Sequence, residues 1–399
     1  MTLKNPSPVA ASDEQKPNPK RFTVDGDAGL EAQLEKVCDQ VQSALQKNLK
    51  GRRLKGVLLG GGYGRGEGGV FRTEQQDRPY NDLEFYLIVK GNPILNERRM
   101  GPVLDKLVHE LSSLAGVEVE FKILGPKTLR RQPVSMFTYD LIKGHKLLMG
   151  DKSLIDVCGH HRKAEDIPMA EATRLLMNRC IGLVFAMESL EKRELTDEDA
   201  DNIGRNLAKV RLALGDAVLV AKGRYHWSCR ERSRRINGLP VDPLWDWFGA
   251  VLAQHERGVD FKLNPKPTEP SRSALLQDFE SLSELAGRVW LWLESLRLER
   301  DYDTFAEYVD GPENKCPETG AVRNGLINFR RFGLSGLLDS KALRYPRERL
   351  YRALPILLWD RLTSTEDPRH AVLKRLLRTE ANSFKGYVSA YRYIWQNFR

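Results

Sequence analysis

Two stretches of this 399-residue chain carry residue types that can do chemistry together. Residues 57–71 read VLLGGGYGRGEGGVF, with seven glycines between Gly60 and Gly69, and residues 81–89 read NDLEFYLIV. Glycines let backbone N–H groups approach a phosphate with no Cβ in the way. Arg65, inside the run, adds a charged fork for a phosphate oxygen. Asp82 and Glu84, two residues apart in an extended segment, point from the same face. Carboxylates that close repel unless something neutralises them, and Mg²⁺ takes a few carboxylate oxygens together with substrate phosphates. Glu118 and Glu120, in VEVEFKIL at 117–124, offer a third ligand if that segment lies alongside. Three carboxylates beside a phosphate-cradling loop form the donor set of a two-metal phosphoryl-transfer site.

Two familiar phosphate loops do not fit. No Lys-Ser or Lys-Thr follows the glycines, which excludes a Walker A loop. No apolar helix pattern opens on them ahead of a parallel strand, which excludes a dinucleotide fingerprint; the run leads instead into the acidic segment.

The elements that must position these residues follow from periodicity. Leu30, Leu34, Val37, Val41 and Leu45 recur at helical steps, and a basic GRR turn at 51–53 closes that helix. LKGVLLG reads as a short buried strand. DLEFYLIV, 82–89, reads as a second, with Leu83, Phe85 and Leu87 on one face and Asp82, Glu84 and Tyr86 on the other. Val103 to Leu114 mark a helix stopped by Gly116, and VEVEFKIL alternates again. From about residue 169 the pattern is helical. Thr196 and Asp199 form a capping box, the helix behind them carries Ile203, Leu207, Val210, Leu214 and Val218, and Gly223 ends it. The remainder is rich in Trp and Leu at helical spacing, most simply core.

The paired signals, Leu59-Gly60-Gly61-Gly62 with Arg65 and then Asp82-Leu83-Glu84, resemble the DNA polymerase β-like nucleotidyltransferase superfamily over residues 55–125. GGYGRGE at 61–67 looks most like the catalytic loop of bacterial PII-protein uridylyltransferases. The resemblance implies an α+β fold: an N-terminal mixed-sheet catalytic domain followed by a largely α-helical region. It implies Mg²⁺ or Mn²⁺ as cofactor and a nucleoside triphosphate as co-substrate. Asp82 would bridge both metals, Glu84 would hold the nucleotide-bound one, and Glu120 (or Glu118) would complete the other. Gly61, Gly62 and Arg65 would hold the triphosphate. The helical domain would close over it with a basic residue, with Lys209 and Arg211 on the helix at 198–222 as candidates, and Tyr225 in GRYHWSCRERSRR would stack a base.

Three departures limit what carries over. The second acid is Glu84 rather than Asp. VFRTEQQDRPY, between Gly69 and Asn81, is longer than in the uridylyltransferases and implies an extra loop at the mouth of the site, where an acceptor would enter. No His-Asp dipeptide occurs, so the hydrolase domain of those regulators is missing, and the PII substrate is not carried over.

The expected organisation is a disordered lead-in at 1–25, a nucleotidyltransferase domain at 26–160, a helical domain closing the nucleotide site at 169–238 and a C-terminal helical region at 239–399. No apolar run approaches a membrane span, the N-terminus has no secretory h-region, and five scattered cysteines without a CxxC pair indicate neither disulfides nor a zinc site. A cytoplasmic protein is expected. The net charge of +9 points to an anionic partner. The acceptor hydroxyl is open between a small molecule, a protein side chain and an RNA end. Competing readings are a catalytically inactive protein of this fold that binds nucleotide or nucleic acid, and an interaction module using the helical half. For the arginines at 224–235 the plain alternative is a structural basic surface.

Overall fold

In the computed structural model the apolar stripe Leu30, Leu34, Val37, Val41 and Leu45 is buried along one side of helix α1 (Ala28–Asn48). Burying each such side chain stabilises the fold by about 1.5–3 kcal/mol. The structure describes residues 21–49, 54–240, 245–334, 341–364 and 366–397; lead-in residues 1–20 and the GRR turn at 51–53 lie outside them.

The fold is α+β and forms two compact units: Met1–Gln132 with Asp140–Gly159, and Pro133–Tyr139 with His160–Arg399. In the first, β1 (Leu54–Leu59) leads through a single helical turn, α2 (Gly61–Gly64), to a short ribbon of β2 (Val70–Phe71) and β3 (Arg78–Pro79), and then to β4 (Leu83–Val89). Helix α3 (Pro93–Ala115) crosses over to β5 (Val119–Leu124); α4 (Pro126–Arg131), α5 (Met136–Lys143), whose residues up to Tyr139 count with the second unit, β6 (Lys146–Gly150) and α6 (Ser153–Asp156) follow. The sheet order is β5-β4-β1-β6, with β4 parallel to β5 and β1 antiparallel to both its neighbours. Helix α3 begins at Pro93 under an Asn92 cap, ten residues ahead of the Val103 that marks its periodicity, and ends at left-handed Gly116.

Both sheet faces are covered. Val57, Leu59, Leu83, Phe85 and Leu87 share a core with α1 and α3. Leu58, Tyr86 and Ile88 pack with Leu129, Leu141 and Ile155 on the other side. The face of β4 that holds Glu84 and Tyr86 is covered in part: Tyr86 is buried and Glu84 half-buried, whereas Asp82, just before the strand, is exposed. A charged side chain in a strand covered on both faces requires partners.

Residues 21–25, which the sequence assigns to the lead-in, belong to this unit. Phe22 and Thr23 are buried, their amides donate to the Glu31 carboxylate at 2.8 and 3.0 Å, and Gly68 N–H donates to the Phe22 carbonyl at 3.0 Å. The VFRTEQQDRPY segment is also anchored. Asp27 and Asp77 exchange backbone-to-carboxylate hydrogen bonds of 2.9 Å, and Arg72 pairs with Asp77 and with Asp25. The ribbon is thus tied to the start of α1 rather than hanging as an open loop.

The second unit is helical: α7 (Met169–Leu190), α8 (Asp197–Ala221), α9 (Cys229–Asn237), α10 (Phe248–Leu263), α11 (Arg272–Leu298), α12 (Phe305–Asp310), α13 (Ala321–Phe332), then helices Glu348–Leu358, Arg369–Leu377 and Phe384–Asn397. The Thr196–Asp199 capping box is present at α8. Regions 169–238 and 239–399, separated in the sequence, share one core, centred on fully buried Trp290 with Tyr308 and Tyr351 against its ring. Among the described residues no helix is long and apolar enough to cross a membrane.

Asp27 caps α1 by accepting from Leu30 N–H at 2.7 Å, and this bond, with that from Asp77, holds its carboxyl below the usual range. A lowered folded pKa contributes stability that is complete above the unfolded value of 3.8 and is lost as pH falls through the folded one. Asp27→Ala should therefore lower the urea midpoint at pH 7, and its gap to the wild type should shrink at pH values beneath 3.8. Urea titrations at both pH values measure this.

Candidate functional site

The glycine segment is built, not slack. Gly60 N–H donates to the Glu84 carbonyl at 2.9 Å, which sets the end of β1 beside the acidic part of β4. Gly61 then takes φ +62°, left-handed backbone that strains any L side chain, and the Glu84 carboxyl carbon lies 3.5 Å from where its Cβ would be. Gly61 and Gly62 open the helical turn α2.

Tyr63, in the same turn, is wholly buried. Its hydroxyl donates to the Gly69 carbonyl at 2.9 Å and accepts from Tyr80 N–H at 2.9 Å and Asn81 N–H at 3.4 Å. A Cβ on Gly68 would sit 2.0 Å from the Tyr63 ring, so only glycine permits this approach. Asn81 in turn accepts from Gly69 N–H at 3.1 Å. One phenol therefore joins both ends of the glycine segment to the residues just before Asp82. Burial pushes it up to about 12, so at neutral pH it keeps the proton that Gly69 accepts. The sequence reading passed over Tyr63; its only signal was a large aromatic among glycines.

The β4–β5 register aligns Leu83 with Val119 and Glu84 with Glu120. Asp82, Glu118 and Glu120 each bring a carboxylate oxygen within 4.8 Å of the others. Both candidate acids of the later strand thus join Asp82. Glu84, expected as its metal-binding partner, does not. Glu118 and Glu120, two residues apart along one extended segment, turn their carboxylates together toward Asp82, so spacing along a strand is not what keeps Glu84 apart. Glu84 is held elsewhere: it accepts from the Tyr86 hydroxyl and lies 3.6 Å from Lys122 Nζ.

Lys122 is a site residue that the sequence reading missed. Its ammonium is 2.7 Å from Glu120 and 5.7 Å from the centre of the Tyr86 ring. Burial lowers its pKa, but the bond to Glu120 and the charges of Glu84 and Glu120 outweigh this and raise it. The available signal was its place two residues after Glu120 on the same alternating face. Arg65, expected on a phosphate, is nearly buried and paired with Asp140 at 3.0 Å. That partner lies 75 residues away in sequence, beyond the reach of local pattern.

Lys209 and Tyr225 lie in the second unit. Tyr225 is buried, packs its ring 5.8 Å from Tyr139, and has the Arg232 guanidinium 5.0 Å from its centre. Its faces belong to the core, so it is not a platform for a base. The basic stretch around it is largely structural: Arg232 pairs with Asp216 at 3.1 Å, and Arg234 and Arg235 pair with Glu231. Lys209 is exposed on α8 and lines a cavity described below.

Three acidic oxygens so close suit a hard divalent cation, which binds carboxylates by preference. No family model and no curated protein matches the chain. Among solved structures it is similar to the spectinomycin adenyltransferase AAD(9) from Enterococcus faecialis, determined with ATP and spectinomycin, at 14% identity and a TM-score of 0.37, covering 63% of this chain and 99% of that one.

Tyr63→Phe should leave two amides and a carbonyl without their partner, a cost of about 1–3 kcal/mol for a buried polar group. Equilibrium denaturation should show a loss in that range; a change below about 0.3 kcal/mol would remove Tyr63 from its role as the joint of the site.

Proposed function

We propose that the chain is a metal-dependent nucleotidyltransferase that transfers a nucleoside monophosphate from a nucleoside triphosphate to an acceptor hydroxyl. The observation that carries the reading is the convergence of Asp82, Glu118 and Glu120 within 4.8 Å, on a strand pair hydrogen-bonded to a glycine turn. Asp82, Glu118 and Glu120 would hold the cation, Mg²⁺ or Mn²⁺. When bound, it supplies charge neutralisation at the reacting phosphate and lowers the pKa of a coordinated hydroxyl.

The chain's own residues do the rest. Gly60, Gly61 and Gly62 keep the backbone beside β4 free of Cβ atoms, so that triphosphate oxygens can approach main-chain N–H groups. Tyr63 keeps that turn and the Asp82 strand in register. Glu84, fixed by Tyr86 and Lys122, borders the turn and sets how close an anion comes to Gly61. Lys122 offsets the charge of Glu84 and Glu120. The acceptor oxygen bonds to the α-phosphorus, the bond to the bridging oxygen breaks, pyrophosphate leaves, and the acceptor proton passes to a carboxylate of the trio and then to water.

A second reading, a protein that binds nucleotide without transfer, is favoured by one observation: Lys122 already supplies a positive charge 2.7 Å from Glu120. The two are separated by incubating the protein with each α-³²P-labelled nucleoside triphosphate, Mg²⁺ or Mn²⁺, and cell extract split into protein, RNA and small-molecule fractions. Label should move covalently into one fraction and stop doing so in Asp82→Ala, with transfer reduced about 10²-fold or more. Metal-dependent binding without transfer selects the second reading. Neither binding nor transfer in any fraction rules out both.

A further inference from the structure

The second unit contains a cavity of about 360 Å³ whose polar lining is Arg174, Asn178, Arg179, Asn206, Lys209 and Arg347. None of the described residues that line it is acidic. The cations come from three places: Arg174 and Arg179 from α7, Lys209 from α8, and Arg347 from the cap of the helix Glu348–Leu358. Helices α7 and α8 approach closely here because Gly182 has no Cβ; one would lie 2.8 Å from Asn206 Oδ1. Trp395, from the C-terminal helix, supplies a half-buried aromatic wall, fixed by its indole N–H donating to Asn178 at 3.2 Å.

Charge compensation is incomplete. Arg174 pairs with Glu171. The carboxylate whose field reaches Arg179 is Asp216, which is engaged with Arg232 at 3.1 Å and His255 at 3.2 Å. Arg179 has no hydrogen-bond or ion-pair partner among the described residues. A guanidinium stays ionised in proteins, and the cavity gathers that of Arg179 with Arg174, Lys209 and Arg347 around one concave space. The lining continues past Arg174 and Arg347 into a second cavity of about 310 Å³ that adds Arg323 and one acid, Glu318.

We propose that this cavity binds a small organic polyphosphate through Arg174, Arg179, Lys209 and Arg347, with a ring against Trp395, independently of the carboxylate site. Several cations around one volume call for a ligand with several negative charges, and arginine forks match phosphate oxygens in pairs. The volume is that of a small-molecule site, not of a macromolecular groove. Lys209 thereby has an anionic ligand, as the sequence suggested, but in a pocket built within the helical unit.

Isothermal titration of the full chain with sodium pyrophosphate, ATP and AMP in EDTA tests this. EDTA removes divalent cations, and the acidic trio of the first unit then repels anions. Pyrophosphate and ATP should bind, AMP more weakly, and the affinity should fall with added salt. Arg179→Gln and Lys209→Gln should each weaken pyrophosphate about tenfold or more, whereas Asp82→Ala and Arg224→Gln, the latter at an exposed site outside the cavity, should bind as the wild type. Should Arg179→Gln not fold, exposed Lys209→Gln decides alone. Absence of binding to the wild type, undiminished binding in both cavity variants, or loss in Asp82→Ala overturns the proposal. The outcome does not depend on catalysis, so its failure leaves the proposed transferase reading in place, and the converse.

Discussion

The parallel register of β4 on β5 is the constraint on which the first unit depends. It sets Glu84 opposite Glu120, and Asp82 next to Glu118, on one face of a sheet that is apolar nearly everywhere else. Like charges about 5 Å apart repel by on the order of 1–4 kcal/mol per pair, according to their exposure. Lys122 and the Tyr86 hydroxyl relieve Glu84 and Glu120. Asp82, Glu118 and Glu120 still bring a carboxylate oxygen each within 4.8 Å of the others. A fold that holds acids together against repulsion does so by packing from both sides, and here α1 and α3 on one face and Leu129, Leu141, Ile142 and Ile155 on the other provide it.

Tyr63 couples this sheet to the glycine segment, and residues 22–23 brace that segment from outside. The glycines have specific duties: one takes a left-handed turn beside Glu84, another admits a buried ring. In the second unit, buried charge is handled differently. Glu294, fully buried, accepts from Thr173, Tyr308 and Arg297, and Arg352 donates to Glu348 and to carbonyls of the 309–313 segment. Against that pairing, Arg179, with no hydrogen-bond or ion-pair partner among the described residues, stands out in its cationic cavity.

Local periodicity made much of the fold legible. The α1 stripe, the inward residues of β4, the Gly116 stop and the Thr196 capping box each depend on neighbours within a turn or a strand. The carboxylate neighbourhood was legible as well, down to the pair of acids on the later strand. What failed depended on contacts distant in sequence. Glu84 stands apart from the trio because Tyr86 and Lys122 hold its carboxylate. Arg65 is taken by Asp140, Tyr225 is enclosed by Tyr139 and Arg232, and the inserted segment folds as a ribbon on α1. None of these partners is encoded by the spacing of the motif itself.

The central claim is that Asp82, Glu118 and Glu120, and not the Asp82–Glu84 pair, form the cation site. A crystal of the full chain grown with MnCl₂ and measured at a wavelength where manganese scatters anomalously tests it most directly. The account predicts an anomalous peak bounded by the oxygens of those three residues, with Glu84 still on Tyr86. A peak ligated by Glu84 without Glu118, or no peak at saturating manganese, would contradict it.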